Sequence, residues 1–307
     1  MVSIAPMEEF NPYRGRFAPS PTGPLHFGSL AAALGSCLEA RVHGGEWLLR
    51  MEDVDAPRCS PEAAAGILRT LDRLGFEWDG EVMVQSRRTA RYGELLDGLK
   101  AAHLAYPCAC TRRELADSAL APDGAAIYPG TCRDGLPPGK AARAWRLRVG
   151  DAVVAFDDAV QGPLSQHLGA EVGDFVLRRA DGYFAYQLAV VADDADQGIT
   201  HVVRGADLLE STPRQIHLQS CLGMATPAYA HLPVALNAQG EKLSKQTLAA
   251  AADSVAAAPA LLAALRFLGQ APPDGLADVA AVWAWALANW RLEKVPRVRA
   301  LRAPAAW

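Results

Sequence analysis

The stretch RFAPSPTGPLHFGS, residues 16–29, decides how this chain folds. Its three prolines and two glycines follow an apolar pair, and a helical pattern of apolar residues then continues to residue 42. Proline restricts the backbone and glycine permits tight turns, so the stretch is too rigid for a linker, and it is too polar for a core. We therefore predict a strand-to-helix corner of one fixed shape that forms part of a site.

The segments after this corner alternate between strand-like and helix-like patterns. EWLLRMED, residues 46–53, is a short apolar run that turns acidic, as a buried parallel strand does at its carboxyl end. Residues 60–75 begin with a Ser-Pro helix start and end on glycine, and residues 90–103 form another amphipathic pattern. This order predicts an α/β fold with a doubly wound parallel sheet, in which ligands bind outside the carboxyl ends of the strands.

A change of composition divides the chain into regions. From residue 105 the sequence is rich in Pro, Gly, Cys and Tyr, and we predict a small inserted α+β module over 105–175. The module separates the two parts of a split nucleotide-binding domain, 1–104 and 176–250, and a short helical region with a basic tail follows over 251–307. The α/β pattern returns in four segments, residues 186–196, 200–209, 212–222 and 230–236.

Composition and charge restrict the possible functions. The 307 residues carry 34 acidic and 30 basic side chains, a formal net charge of −4, so no overall field draws the chain to nucleic acid or membrane. No run of 18 apolar residues occurs, and six cysteines are too few for a disulfide scaffold in a chain of this size. We expect a cytoplasmic monomer without a membrane partner. The basic tail is expected either to contact nucleic-acid phosphates or to be an ordinary solvated face.

Two short motifs are candidates for binding phosphate, although the chain has neither of the two commonest phosphate-binding motifs. His26, Gly28 and Ser29 lie at the predicted first turn of a helix, where backbone N–H groups and the helix dipole attract anions. Lys242 and Lys245 lie in the KLSKQ loop after the last predicted strand. Each motif alone is equally consistent with a plain helix entry or a solvated lysine-rich loop.

The two motifs together resemble the signature arrangement of class I aminoacyl-tRNA synthetases. Those enzymes join a carboxylate to the α-phosphate of ATP, and the negative charge of the transition state requires positioned cations and N–H donors. The resemblance implies that His26 and Lys245 are catalytic phosphate ligands and that Mg2+ accompanies the ATP. Gly28, Ser29 and Lys242 complete the expected ATP site.

Side chains at the predicted strand ends indicate which amino acid is activated. The residues concerned are Arg16, Ser20, Glu52, Tyr186 and Arg204. Arginine binds carboxylates through paired hydrogen bonds, so two arginines and one acid suit a substrate with two carboxylates and one ammonium group. Any one of these arginines could equally form a surface ion pair, but their joint placement favours glutamate.

The blocks RFAPSPTG, RMEDVD and HVVRG are similar to blocks of glutamyl-tRNA synthetases, over roughly residues 14–250. The residues after KLSKQ are too few for the anticodon-binding domain of those enzymes, and the chain resembles instead the glutamyl-queuosine tRNA(Asp) synthetases. This resemblance implies activation of L-glutamate with ATP in the absence of tRNA, and transfer to the cyclopentenediol of queuosine at the wobble position of tRNA(Asp). It also implies that Phe17, Ala18 and Pro19 contact glutamate. The alternatives are a fragment that charges tRNA(Glu) and a catalytically idle RNA-binding module.

Three cysteines in the inserted module are candidates for binding a metal. Cys108, Cys110 and Cys132 can supply three thiolates to a tetrahedral zinc ion, which needs a fourth ligand. The family pattern C-x-C…Y-x-x-x-C implies that Tyr128, four residues before Cys132, is that ligand. One structural Zn2+ is therefore expected, and the alternative is a group of reduced thiols without a metal.

Overall fold

A computed structural model describes residues 12–111, 113–116, 118–121, 123–243, 252 and 255–304. No helix in these residues is both long enough and apolar enough to span a bilayer. The helices are Phe27–Val42 (α1), Pro61–Arg73 (α2), Thr89–Ala101 (α3), Leu168–Glu171 (α4), Tyr186–Asp196 (α5), Thr212–Leu222 (α6), Ala257–Phe267 (α7) and Val279–Asn289 (α8). The strands are Arg14–Phe17 (β1), Glu46–Met51 (β2), Met83–Val84 (β3), Ala105–Cys108 (β4), Ala144–Leu147 (β5), Val153–Asp158 (β6), Gly162–His167 (β7), Val176–Arg178 (β8), His201–Gly205 (β9), Ala228–Leu232 (β10), Val234–Leu236 (β11) and Ala300–Arg302 (β12).

Parallel strands form the two sheets that carry the site. In the first sheet, β1, β2 and β3 are all parallel. The second sheet has the order β7–β6–β10–β9, with β10 parallel to both β9 and β6, and β7 antiparallel to β6. The two sheets meet where the Thr200 amide donates a hydrogen bond to the Arg14 carbonyl oxygen at 3.0 Å. The predicted α/β fold with parallel strands is confirmed, but these strands are divided between two sheets.

The predicted corner after β1 is confirmed, and it is tied to the end of β2. His26 has an extended backbone and its side chain caps the N-terminus of α1. The amide of Glu52, directly after β2, donates a hydrogen bond to the Pro19 carbonyl oxygen at 3.0 Å. The amide of Ser60, which caps α2, donates to the Pro21 carbonyl oxygen, also at 3.0 Å. The strands β1 and β2 therefore end side by side.

Helix α1 lies at the centre of the main core. Its side chains Phe27, Leu30, Leu34 and Leu38 are at most 1% exposed, and they pack with apolar residues of β1, β2, α2, α7 and α8. Full burial of one such side chain contributes about 1.5–3 kcal/mol relative to leaving it exposed. This packing holds the N-terminus of α1 against the ends of β1 and β2.

The segment 105–175 contributes strands to two different sheets. The strands β4 and β5 form an antiparallel sheet with β8, and this sheet shares a second core with α3, α5 and α6. The strands β6 and β7 instead extend the sheet of β9 and β10, where Asp158 on β6 is paired with Tyr229 on β10. Strand β6 therefore connects this segment directly to the strands that carry the site.

Two predicted elements are each divided in the structure. The pattern AHLPVAL predicts one strand, but β10 and β11 lie in different sheets on either side of Pro233, because proline has no N–H for a ladder. The alanine-rich pattern over 254–292 predicts one helical segment, but α7 and α8 are separate helices. Gly269, just after α7, has a φ of +75°, a left-handed conformation that ends a helix.

Candidate active site

Residues at the carboxyl ends of β1, β2, β9 and β10 line one cavity of about 280 Å³. Every predicted substrate residue that the structure describes lies in its wall: Arg16, Phe17, Ala18, Pro19, Ser20, His26, Gly28, Ser29, Glu52, Tyr186, Arg204 and Lys242. Lys245 lies outside the described residues. Motifs from separate parts of the chain thus meet at the strand ends, as expected for a sheet of this kind.

Arg16 is buried at the carboxyl end of β1, with 3% of its surface exposed. Its Nε donates a hydrogen bond to Oδ1 of Asp194 on α5 at 3.1 Å. The same oxygen accepts a hydrogen bond from Nη2 of the fully buried Arg50 on β2. Burial raises the pKa of Asp194, but the two arginines outweigh it, so the net effect lowers this pKa. An ionised acid therefore holds the Arg16 guanidinium at the cavity.

Sequence reasoning missed the acidic pair Asp193 and Asp194. Asp193 is fully buried and accepts hydrogen bonds from Gln85, Arg88 and Tyr92 at 2.8, 2.6 and 2.8 Å. Two adjacent acids within an otherwise apolar helical pattern are the signal that could have revealed them, because buried carboxylates require charged or hydrogen-bonding partners.

Glu52 presents a carboxylate oxygen without a partner. Its side chain is 9% exposed, and Oε1 is buried with no hydrogen-bond partner among the described residues. Nε of Arg50 lies 3.8 Å from this oxygen, which is beyond hydrogen-bonding distance. Burial raises the pKa of Glu52 to about 7, against the opposing influence of Arg50 and Arg16. Nε and Nη1 of Arg50 also lack hydrogen-bond partners among the described residues, and an ammonium group bound beside Glu52 would favour the ionised carboxylate.

Arg204, at the end of β9, brings a second guanidinium to the cavity and is 5% exposed. Its Nε donates to Nε2 of His231 at 3.0 Å, and its Nη2 donates to Oγ1 of Thr212 at 2.9 Å. Nη1 lies 3.5 Å from the hydroxyl of Tyr186. Burial raises the pKa of Tyr186 although Arg204 opposes this, so the phenol is neutral and can donate a hydrogen bond. Arg16 and Arg204 thus place two positive groups in the wall of one cavity.

The first turn of α1 forms another part of the cavity wall. Nδ1 of His26 accepts a hydrogen bond from the Ser29 amide at 3.3 Å, and Nε2 lies 3.2 Å from the Ser29 hydroxyl. A Cβ atom at Gly28 would lie 3.3 Å from the His26 ring, so a larger residue there would crowd this histidine. The partial positive charge of a helix N-terminus makes this wall suitable for a phosphate group.

The residues on both sides of 244–251 lie near this turn. Lys242 lines the cavity and forms an ion pair with Asp207, with 2.6 Å between Nζ and Oδ2. The Ala252 amide donates a hydrogen bond to the Leu25 carbonyl oxygen at 2.7 Å. The two predicted signature motifs are therefore neighbours, as far as the described residues extend.

A cluster of potential metal ligands lies in the segment 105–175. The sulfur atoms of Cys108, Cys110 and Cys132 are within 4.8 Å of one another, and those of Cys110 and Cys132 are 3.7 Å apart. The Tyr128 hydroxyl oxygen lies 3.4 Å from the Cys108 sulfur and 3.6 Å from the Cys110 sulfur. Sulfur ligands about 2.3 Å from a tetrahedral zinc ion would be about 3.8 Å apart, which is close to these separations. This cluster is compatible with a metal ion.

The class of protein follows from comparison with known families. Residues 13–271 match the family described as tRNA synthetases class I (E and Q), catalytic domain. A crystal structure of a glutamate tRNA ligase from Elizabethkingia meningosepticum, in complex with its amino acid, is similar with a TM-score of 0.79 and 25% identity. The similarity covers 96% of this chain and 68% of that one. The chain is therefore a ligase of the aminoacyl-tRNA synthetase type.

Curated relatives define the branch of this class. The chain is 64% identical over 299 residues to the glutamyl-Q tRNA(Asp) synthetase of Dechloromonas aromatica. The aligned region covers 96% of this chain and 99% of the relative. It is 60% identical over 298 residues to the protein of the same name from Aromatoleum aromaticum, covering 96% of this chain and 94% of the relative. The chain belongs to the glutamyl-Q tRNA(Asp) synthetase family.

Replacing Glu52 by glutamine is expected to change how stability depends on pH. The pKa of Glu52 is about 7 in the folded chain and near its ordinary value of 4.5 when unfolded, so the folded state binds the extra proton between these values. Wild-type stability should therefore fall as pH rises through this window, by up to about 1.4 kcal/mol per pH unit. Glu52→Gln cannot bind this proton, so its free energy of unfolding should not show this fall. The difference in free energy of unfolding between Glu52→Gln and wild type should therefore change in favour of the variant as pH rises.

Urea unfolding of wild type and Glu52→Gln between about pH 5 and pH 8 measures this difference. Glu81→Gln, at an exposed position, is the control and should give a curve parallel to that of wild type. A curve for Glu52→Gln that also runs parallel to wild type would contradict the buried, unpartnered state of this carboxyl group.

Proposed function

We propose that the cavity activates L-glutamate with ATP to form glutamyl-adenylate, without tRNA, and transfers the glutamate to the cyclopentenediol of queuosine in tRNA(Asp). One observation carries the activation step, namely the buried carboxyl group of Glu52 in the wall of a cavity that also contains two buried guanidinium groups. The names of the relatives, which agree along almost the whole chain, support the choice of tRNA.

The charges of the cavity suit glutamate. Arg16 and Arg204 bind the two carboxylates, Arg204 through Nη1, and Glu52 accepts hydrogen bonds from the α-ammonium group. Tyr186 and Ser20 offer hydroxyl groups beside them, and Phe17, Ala18 and Pro19 supply the wall between the corner and β1. The protein groups carry a net charge of about +1 and the substrate about −1, so binding leaves no buried charge without a counterpart.

The other part of the cavity binds ATP with its Mg2+. A glutamate carboxylate oxygen attacks the α-phosphorus, a new P–O bond forms, and the bond to pyrophosphate breaks. His26, the first turn of α1 with Gly28 and the Ser29 hydroxyl, and the lysines Lys242 and Lys245 supply donors and positive charge for the phosphate oxygens. His26 and the first turn of α1 are held before the reaction by the corner and the main core, so little reorganisation of this part of the site accompanies the charge that develops.

The division of the chain into regions is also part of this proposal. Segments 1–104 and 176–250 form the catalytic domain, 105–175 is the inserted module, and 251–307 is a helical region with a basic tail. The exposed arginines of that tail, together with the inserted module, are candidates for contacts with tRNA phosphates.

A structural zinc ion in the inserted module completes the proposal. Cys108, Cys110, Cys132 and Tyr128 would hold it, and the ion would crosslink a part of the chain that has a small core of its own. Three thiolates and a phenolate exceed the charge of Zn2+, and Arg146 partly balances the excess. Its Nε lies 3.3 Å from the Cys108 sulfur, and its guanidinium lies 3.8 Å from the centre of the Tyr128 ring.

The function is tested by supplying labelled glutamate, ATP and Mg2+. Pyrophosphate exchange that depends on glutamate is expected in the absence of tRNA, and label should appear on tRNA(Asp) that contains queuosine. The same tRNA without queuosine is the control and should remain unlabelled. Label on tRNA(Glu) would favour the alternative charging activity, and absence of exchange would contradict the proposal.

Arg16→Lys should weaken glutamate binding selectively, because lysine keeps the charge but loses the planar pair of donors. The KM for glutamate should rise about 10–150-fold, the equivalent of about 1.5–3 kcal/mol, while the KM for ATP stays near wild type. Arg14→Lys is the matched control, since Arg14 lies on the same strand but pairs with Glu46 outside the cavity. Steady-state exchange kinetics measure both constants, and an equal rise in both would refute this assignment.

Loss of one cysteine ligand should remove the zinc. Elemental analysis is expected to find one zinc per wild-type chain and none in Cys132→Ser. Cys221→Ser, which alters a cysteine on α6, should retain the metal. A chelator should lower the melting temperature of wild type by about 5 °C or more, as a loss of about 2 kcal/mol would do, and should leave Cys132→Ser unchanged. Equal zinc content in wild type and Cys132→Ser would exclude this cluster as the metal site.

A further inference from the structure

A chain of buried hydrogen bonds runs from β6 to Arg204. Asp158, at the end of β6, is 3% exposed, and His231 on β10 is fully buried. Oδ2 of Asp158 lies 2.5 Å from Nδ1 of His231, and Nε2 of His231 lies 3.0 Å from Nε of Arg204. Neither Asp158 nor His231 lines the cavity, and Arg204, which does, is the side chain through which this chain of hydrogen bonds reaches it.

The geometry determines which ring nitrogen of His231 carries the proton. Oδ1 of Asp158 accepts hydrogen bonds from the amides of Val160, Gln161 and His231 at 3.0, 2.8 and 3.0 Å. Burial raises the pKa of Asp158, but the hydrogen bonds from His231 and the backbone outweigh it and lower this pKa. Oδ2 of the ionised carboxylate can therefore only accept, so Nδ1 of His231 must donate.

The imidazole of His231 is neutral. Burial lowers its pKa to about 4, although the Asp158 carboxylate opposes the shift. With its proton on Nδ1, the ring has a lone pair on Nε2, and this lone pair accepts the hydrogen bond from Arg204 Nε. Asp158 thus fixes the tautomer that makes His231 an acceptor for arginine.

Two edges of the Arg204 guanidinium are then occupied. Nε is bonded to His231, and Nη2 is bonded to Thr212. Because the guanidinium is planar, these two contacts fix the direction of Nη1, which lies beside the Tyr186 hydroxyl. Tyr186 and Arg204 both line the cavity.

We propose that Asp158 and His231 are positioning residues that hold Arg204 in the orientation for binding a carboxylate of the amino-acid substrate. This inference rests on the proposed activation of glutamate. It gives the segment 105–175 a part in substrate recognition, since Asp158 lies on β6.

Asp158→Asn tests the proposal without a change in size. The three backbone amides require the oxygen of asparagine at the Oδ1 position, so its NH2 group replaces Oδ2. Nδ1 of His231 must then accept a hydrogen bond, and its proton moves to Nε2. Nε2–H can then donate to Thr212 Oγ1, which lies 3.2 Å away. The N–H of Arg204 Nε would face a donor in place of an acceptor, so Arg204 loses this hydrogen bond and should turn from its position in wild type.

The experiment compares Asp158→Asn with Asp157→Asn, an exposed neighbour on β6 that undergoes the same change of charge. Heteronuclear NMR of the histidine ring nitrogens reports the tautomer, and tRNA-independent pyrophosphate exchange reports KM and kcat. Asp158→Asn should exchange the tautomer of His231 and raise the KM for glutamate about 10-fold or more, with the KM for ATP unchanged. Asp157→Asn should behave as wild type in both measurements.

An unchanged tautomer in Asp158→Asn would overturn the proposal, and so would an exchanged tautomer with a wild-type KM for glutamate. If Asp158→Asn does not fold, His231→Leu carries the test through the same rise in KM, and His231→Gln, whose amide can both donate and accept, should restore most of the affinity.

If wild type itself does not activate glutamate, the proposed function fails. The Arg204 Nε–H resonance in Asp158→Asn then decides the positioning role alone, and a wild-type signal would overturn it.

Discussion

The buried carboxylate of Asp194, shared by Arg16 and Arg50, is the interaction on which the site depends. Arg16 and Asp194 are 178 residues apart in the chain, and Arg50 joins them from β2. Each of these charges costs several kcal/mol to remove from water, and only well-formed hydrogen bonds among them offset that cost. The pairing therefore ties β1, β2 and α5 together, and it leaves Arg16 in place at the cavity before any substrate binds.

The arginines of the cavity have hydrogen-bond acceptors within the protein, but among the described residues the acid does not have a donor for each oxygen. Both arginines are anchored by protein acceptors, Arg16 by Asp194 and Arg204 by His231, whereas Glu52 has an oxygen without a donor. In the proposed binding of glutamate, the ammonium group would pair with the Glu52 carboxylate. The arginines, already held by their acceptors, would need little reordering to bind the carboxylates. The helix N-terminus at His26 adds positive potential, which suits the phosphate groups of the ATP proposed to bind there.

Short-range sequence patterns were sufficient to predict the corner and the functional motifs. The prolines and glycines of 16–29 and the capping position of His26 depend on local backbone preferences, and the structure confirms the strand, the corner and the helix there. Arg16, Glu52 and Arg204 were predicted as a set because each follows a strand pattern, and parallel strands bring their carboxyl ends to one edge. The spacing of the cysteines likewise indicated the cluster that the structure contains.

The residues that support the site were revealed only by the tertiary structure. Asp194, Asp158 and His231 lie in ordinary helix and strand patterns, and the sequence does not specify their partners. Asp194 faces arginines of β1 and β2, His231 faces Arg204, and Asp158 faces His231. Their roles depend on contacts across 27 to 178 residues, which periodicity does not specify. A residue's own neighbours set its backbone, but its charge is satisfied by whichever groups the fold brings within hydrogen-bonding distance.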